Sequence, residues 1–116
     1  MKNIHTAPLD VLSARGNGTF ATEPHEAGWA DEALLIVHVR ESAGPSPALA
    51  LRAQISADGA RWVDHPAGAL HIKGCGDGAL PLAHFGNWLR FSGEVGGGPA
   101  DGGTAVVIDI YLVLKG

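Results

Sequence analysis

The sequence predicts an all-β fold: an antiparallel β-sandwich, jelly-roll-like, with seven to nine short strands. Three observations carry this expectation. Apolar residues alternate with a period of two in several short runs. Turn chemistry built from Gly, Pro, Asn and Asp recurs roughly every eight to twelve residues. No stretch joins helical periodicity to helix caps. Glycine supplies 17 of the 116 residues and proline 7, yet 46% of the chain is hydrophobic, so tight turns between short elements fit better than a low-complexity segment.

Residues 1–8 have no periodicity and include Pro8, which predicts a flexible N-terminal arm followed by a single β-sandwich domain over residues 9–116. A short strand is expected over 9–14. Arg15-Gly16-Asn17-Gly18 reads as a hairpin turn, because Asn-Gly accepts the positive φ of a two-residue loop, with residues 19–22 as the returning strand. Residues 23–31 read as a surface loop with Trp29 folded onto the body.

Residues 33–41, ALLIVHVRE, form the first long strand, with Ala33, Leu35, Val37 and Val39 on one face and Leu34, Ile36, His38 and Arg40 on the other. Pro45 and Pro47 remove backbone donors and mark a connection. Leu49, Leu51, Ala53 and Ile55 then alternate with polar or small residues, Ser56-Ala57-Asp58-Gly59 supplies a turn, and Trp62-Val63 opens a second strand that His65-Pro66 closes. This is the predicted central hairpin, with Trp62 as a core anchor.

Further strands are expected over 69–73, 79–82, 87–95 and 104–114. In the third of these, Leu89, Phe91 and Gly93 share one side, and Gly93 marks a bulge or a close approach. In the last, Ile108, Ile110, Leu112 and Leu114 alternate with Asp109, Tyr111 and Val113.

Chemistry is sparse. The six histidines show no HxH or HExxH spacing and no pairing with a second cysteine; His65 and His71 near Asp64 are the one conceivable ion site. No serine lies in a G-x-S-x-G context, and Gly96 to Gly98 lack the Lys-Ser/Thr of a phosphate loop. A non-enzymatic protein without a cofactor is the expectation. A net charge of −4 with eight scattered Lys and Arg argues against a nucleic-acid partner. The N-terminus lacks a signal-peptide pattern and no run is long enough for a membrane helix. The single Cys75 excludes an intramolecular disulfide.

Two long strands carry apolar residues on both faces, whereas a small sandwich has one interior. The surplus points to a subunit interface built from Leu34, Ile36, Tyr111 and Val113, or to a sheet covered by the N-terminal arm. Trp29 and Trp88 are the candidates for stacking on a sugar.

Four segments carry a resemblance: Ser42-Ala43-Gly44-Pro45-Ser46-Pro47, Ser56-Ala57-Asp58-Gly59-Ala60-Arg61-Trp62-Val63-Asp64, Trp88-Leu89-Arg90-Phe91 and the strand from Ile108 to Leu114. In this order they resemble the small jelly-roll-like β-sandwich proteins that decorate and stabilise the heads of tailed bacteriophages. The resemblance implies a homotrimer, made in the host cytoplasm, that sits on the capsid surface of the virion and reinforces the shell of major capsid protein. His5 and Leu9 of the arm would then contact the shell. The S-x-D-G-x-x-W pattern is also similar to that of discoidin-like carbohydrate-binding sandwiches, which implies the alternative: a sugar-binding module using Trp29 and Trp88.

Overall fold

The computed structural model describes residues 3–116 of the chain. Among these residues it contains nine strands and no helix: β1 (Ile4–Arg15), β2 (Gly18–Ala21), β3 (His25–Glu26), β4 (Glu32–Ser42), β5 (Ala48–Ser56), β6 (Val63–Lys73), β7 (Gly76–Ala83), β8 (Trp88–Gly96) and β9 (Val106–Lys115). They form two antiparallel sheets in the orders β1-β9-β4-β7 and β2-β8-β5-β6, with the short β3 also paired to β8. The fold is the jelly-roll-like β-sandwich expected from the sequence.

The core lies between the sheets and is lined by the residues whose alternation predicted it. Leu35, Val37 and Val39 of β4, Leu49, Leu51 and Ala53 of β5, Leu89 and Phe91 of β8, and Ile108, Ile110, Leu112 and Leu114 of β9 are all buried. Each fully buried side chain of this size contributes about 1.5–3 kcal/mol of transfer free energy, so these two central strand pairs dominate the stability of the sandwich.

Among the described strands, consecutive ones pair only once. That pair is β5 and β6, from Ala48 opposite Lys73 to Ile55 opposite Val63. The connecting turn is held by side chains. The Ser56 hydroxyl accepts from the Gly59 N–H (2.8 Å), and Asp58 Oδ1 accepts from the N–H groups of Ala60 (2.9 Å) and Arg61 (3.0 Å). Gly59 adopts φ +79°, a conformation that penalises any side chain. The hairpin is longer than expected: β6 continues past Pro66 to Lys73, because residues between Asp64 and Ala69 bulge out opposite Ala53 and the ladder then resumes.

Every other link between successive long strands passes from one sheet to the other. This corrects the expected hairpin at Asn17-Gly18. β1 pairs with β9 while β2 pairs with β8, so the turn carries the chain across the sandwich. The Asn17 Oδ1 accepts from the Gly98 N–H (2.8 Å) at that crossing.

The expected arm over residues 1–8 divides. Met1 and Lys2 lie outside the described residues. Ile4 to Pro8 form the first part of β1, in register with Lys115 to Tyr111. Two bulges follow, between Pro8 and Asp10 and between Asp10 and Ser13. Leu9 keeps the inward alternation of Ala7 and packs against the core. Edge-strand pairing and inward packing therefore tie down most of the segment that looked free in sequence.

Gly93 marks a close approach, as its position in β8 suggested. The Phe20 ring of β2 occupies the space a Cβ at Gly93 would need, and the Arg15 guanidinium covers the same ring at 4.4 Å from its centroid. Trp62, by contrast, is not a core anchor. It is half-buried on the outside of the sandwich, with the Arg90 guanidinium 4.3 Å from its ring centroid.

Candidate functional site

The outer face of the β1-β9-β4-β7 sheet gathers the apolar residues that the core leaves out. Strand alternation sends Leu34 and Ile36 of β4, and Tyr111 and Val113 of β9, to the side opposite Leu35, Val37, Ile110 and Leu112. Register then places them directly across from one another, Leu34 opposite Val113 and Ile36 opposite Tyr111. All four are half-buried in the isolated chain. The four residues singled out for a subunit interface thus form one contiguous block.

The flanking strands extend that block. Val113 and Leu34 lie in a row with Thr6 of β1 and Pro81 of β7; Tyr111 and Ile36 lie in a second row with Pro8 and Ala79. Two rows therefore cross the whole sheet with little polar content. The outward alternation of Ala79 and Pro81 is visible in the sequence, but their placement beside Ile36 and Leu34 depends on the pairing of β4 with β7. Both edge strands carry a proline on this face, and proline cannot donate to a ladder, so Pro8 and Pro81 discourage another strand from adding at the edge.

A polar boundary closes one end of the rows. His38 Nδ1 lies 2.6 Å from Asp77 Oδ1, and the His38 ring meets Tyr111 edge-on at 6.2 Å between centroids. Asp109, opposite His38 and only 1% exposed, accepts from the Leu12 backbone N–H (2.8 Å) and from Arg40 Nε. The Leu12 N–H first, and the Arg40 guanidinium second, hold the Asp109 carboxyl below the usual carboxylate range; Asp109 in turn raises the Arg40 pKa. Leu12 has φ +51° and, with Val11, projects from the β1 bulge into solvent. This arrangement departs from simple strand alternation, because a bulge in β1 and another at Arg40 in β4 create it.

The remaining candidates are scattered. His5 is exposed and its ring stacks on His25, with centroids 6.1 Å apart. Leu9 faces the core and is not available as a free shell contact. Trp29 is 42% exposed beside the backbone of Gly116. Trp88 is half-buried, with its pyrrole ring against Gly59 of the β5–β6 turn. His65 and His71 do not converge on an ion site. His65 is buried, its Nε2 lying 2.6 Å from the Ala83 carbonyl and its Nδ1 accepting from the Ala67 N–H (3.0 Å), whereas His71 is exposed. Among the described residues, no three His, Cys, Asp or Glu side chains are grouped to hold a metal.

No family model and no curated protein matches the chain. Solved structures do. A chain of the T13 IBDV viral particle superposes with a TM-score of 0.62 at 9% identity, covering 98% of this chain and 31% of that one. A chain of the infectious bursal disease virus Gx strain gives 0.60 at 12% identity, covering 98% and 32%. The PBSX exported protein XepA gives 0.59 at 11% identity, covering 98% and 36%. The structural neighbours thus include proteins of virus particles. At these identities the likeness is one of fold, and this chain spans about a third of the length of those it matches.

Proposed function

We infer that the chain is a non-enzymatic structural protein of a phage virion, which self-associates and binds the outer surface of the capsid to stabilise the shell. One observation carries this reading: two nearly apolar rows crossing all four strands of one sheet, with Leu34, Ile36, Tyr111 and Val113 at their centre. Contiguous apolar patches on small proteins mark association surfaces. The fold shared with chains of viral particles supports placing that association on a shell.

Assembly on this face buries Leu34 and Ile36 of one copy against another, and the trimer implied by the family resemblance is the state proposed. Repetition over the shell makes individually weak contacts sufficient, because each copy is held at more than one point.

Sedimentation velocity on the purified chain tests the reading. A trimeric mass is expected, shifting to monomer when Leu34→Asp and Ile36→Asp are combined while the β-sheet circular dichroism is retained. A wild-type protein that stays monomeric at high micromolar concentration, and that is absent from phage particles purified from the same host, sinks it.

A further inference from the structure

The outer face of the second sheet has the opposite chemistry. There, register gives one row of Thr19, Glu94, Ala50 and His71 and a second of Ala21, Ser92, Arg52 and Ala69, followed by Arg90, Gln54 and Asp64. Between them runs an open trough of about 370 Å³, with small residues in its middle and Arg52, Gln54, Asp64, His71 and Glu94 around it.

Hydrogen bonds hold one wall of the trough in place. Arg90 lies against the Trp62 ring and donates through Nε to Gln54 Oε1 (2.8 Å); Gln54 Nε2 donates to Asp64 Oδ1 (3.1 Å). Arg52 Nη1 stands 3.8 Å from Asp64 Oδ2. This chain crosses β8, β5 and β6 and fixes the Gln54 amide, leaving one amide hydrogen and one lone pair of that group for a ligand.

We propose that this trough is a binding site for a neutral oligosaccharide. It offers donors and acceptors side by side: the forked Arg52 guanidinium, the Gln54 amide, the Asp64 and Glu94 carboxylates and the Ser92 and Thr19 hydroxyls. Adjacent hydroxyls of a sugar ring use such planar, two-pronged groups as both donor and acceptor. Asp64 and Glu94 oppose a phosphorylated, sulfated or carboxylated ligand. An apolar ligand would strip water from the polar groups without replacing their hydrogen bonds. The methyl groups of Ala50 and Ala69 between the polar side chains suit the C–H face of a pyranose.

The site does not depend on assembly. It lies on the side of the sandwich opposite the Leu34 and Ile36 face, so it stays open whether or not that face is covered, and the two ideas fail separately.

The test is a titration of the ¹⁵N-labelled full chain, followed by amide chemical shifts, with cellotetraose, xylotetraose, mannotetraose and β-1,4-galactotetraose, and with a sulfated heparin tetrasaccharide as the anionic probe. At least one neutral sugar is expected to give saturable shifts at the amides of Arg52, Gln54, His71, Ser92 and Glu94 and at the Trp62 indole, with a Kd near the weak limit of about 1 mM. Arg52→Ala, at a half-exposed side chain, is expected to weaken that binding about tenfold or more with the rest of the spectrum unchanged. Trp29→Ala is expected to leave it unaltered. No residue-specific shift with any of the four neutral sugars, shifts centred on Trp29 instead, or tighter binding of the sulfated sugar would each overturn the proposal.

Discussion

The carboxylate of Asp109, buried on the outward side of β9, accepts a 2.8 Å hydrogen bond from the backbone N–H of Leu12, a residue of the opposing edge strand with φ +51°. A non-glycine residue in the left-handed region costs on the order of 1 kcal/mol or more, and here the bond to Asp109 helps to hold it. Arg40, itself at a bulge, neutralises the carboxylate from the other side. Two irregularities in the sheet are thus fastened to one acid at the end of the apolar rows.

Acid sensitivity follows from this acid and from Asp58. Both carboxyls are held below their usual range, Asp109 chiefly by the Leu12 N–H and Asp58 chiefly by the Arg61 and Ala60 N–H groups. A carboxylate whose folded pKa is depressed contributes stability above the unfolded value of about 3.9, and that contribution is lost as pH falls through the folded value. The urea midpoint is therefore expected to drop as pH is lowered below about 4. Asp109→Asn should flatten part of that drop and lower the midpoint at neutral pH; an unchanged acid profile would contradict the role assigned to Asp109.

Adjacent residues of β4 separate folding from assembly. Leu35→Ala opens a cavity in the core and is expected to cost about 2–5 kcal/mol of unfolding free energy without changing the contacts of the outer face. Leu34→Ala should change the unfolding free energy of the monomer by less than about 1 kcal/mol, while weakening self-association. Urea titration at low protein concentration, paired with sedimentation of the same samples, distinguishes the two.

Gly93→Ala forces a methyl group into the Phe20 ring, which Arg15 covers from another side. Overpacking of this kind is expected to destabilise by about 1–3 kcal/mol. Phe20→Ala removes the obstacle, so the double variant should be more stable than the sum of the two single losses implies. Additive losses would mean that the contact does not set the requirement for glycine.

His65 of β6 reaches the other sheet through Nε2, toward Ala83 at the end of β7, while its Nδ1 accepts from Ala67 in the bulge of its own strand. Those partners assign the neutral tautomer with hydrogen on Nε2. His65→Ala removes a buried ring and leaves the Ala83 carbonyl and the Ala67 amide without this partner, and a loss of about 1 kcal/mol is expected. Hydrogen exchange at the Ala67 amide should accelerate in the variant; unchanged protection there would show that the bond contributes little.

Much of the local structure was legible in the sequence because strand alternation has a fixed period. The faces of β4, β5, β8 and β9 could be assigned from Leu35, Leu51, Phe91 and Ile110 before any strand had a partner. The Ser56 to Gly59 turn and the close approach at Gly93 were similarly visible, since both rest on what a single residue type can do. Asn17-Gly18 shows the limit of such signals. It does turn the chain, but a turn signal says nothing about whether the strands on either side share a sheet.

The sequence by itself determined that the chain is an antiparallel β-sandwich and that Leu34, Ile36, Tyr111 and Val113 point away from the core. Only the tertiary structure decided that these four stand opposite one another, that Pro8 and Pro81 flank them, and that a buried acid closes the end of their rows. It also decided that polar residues from β5, β6 and β8 meet in a trough on the opposite face. The physical reason is the same throughout: side-chain direction is a property of each strand, whereas neighbourhood depends on pairings and bulges between segments far apart in the chain.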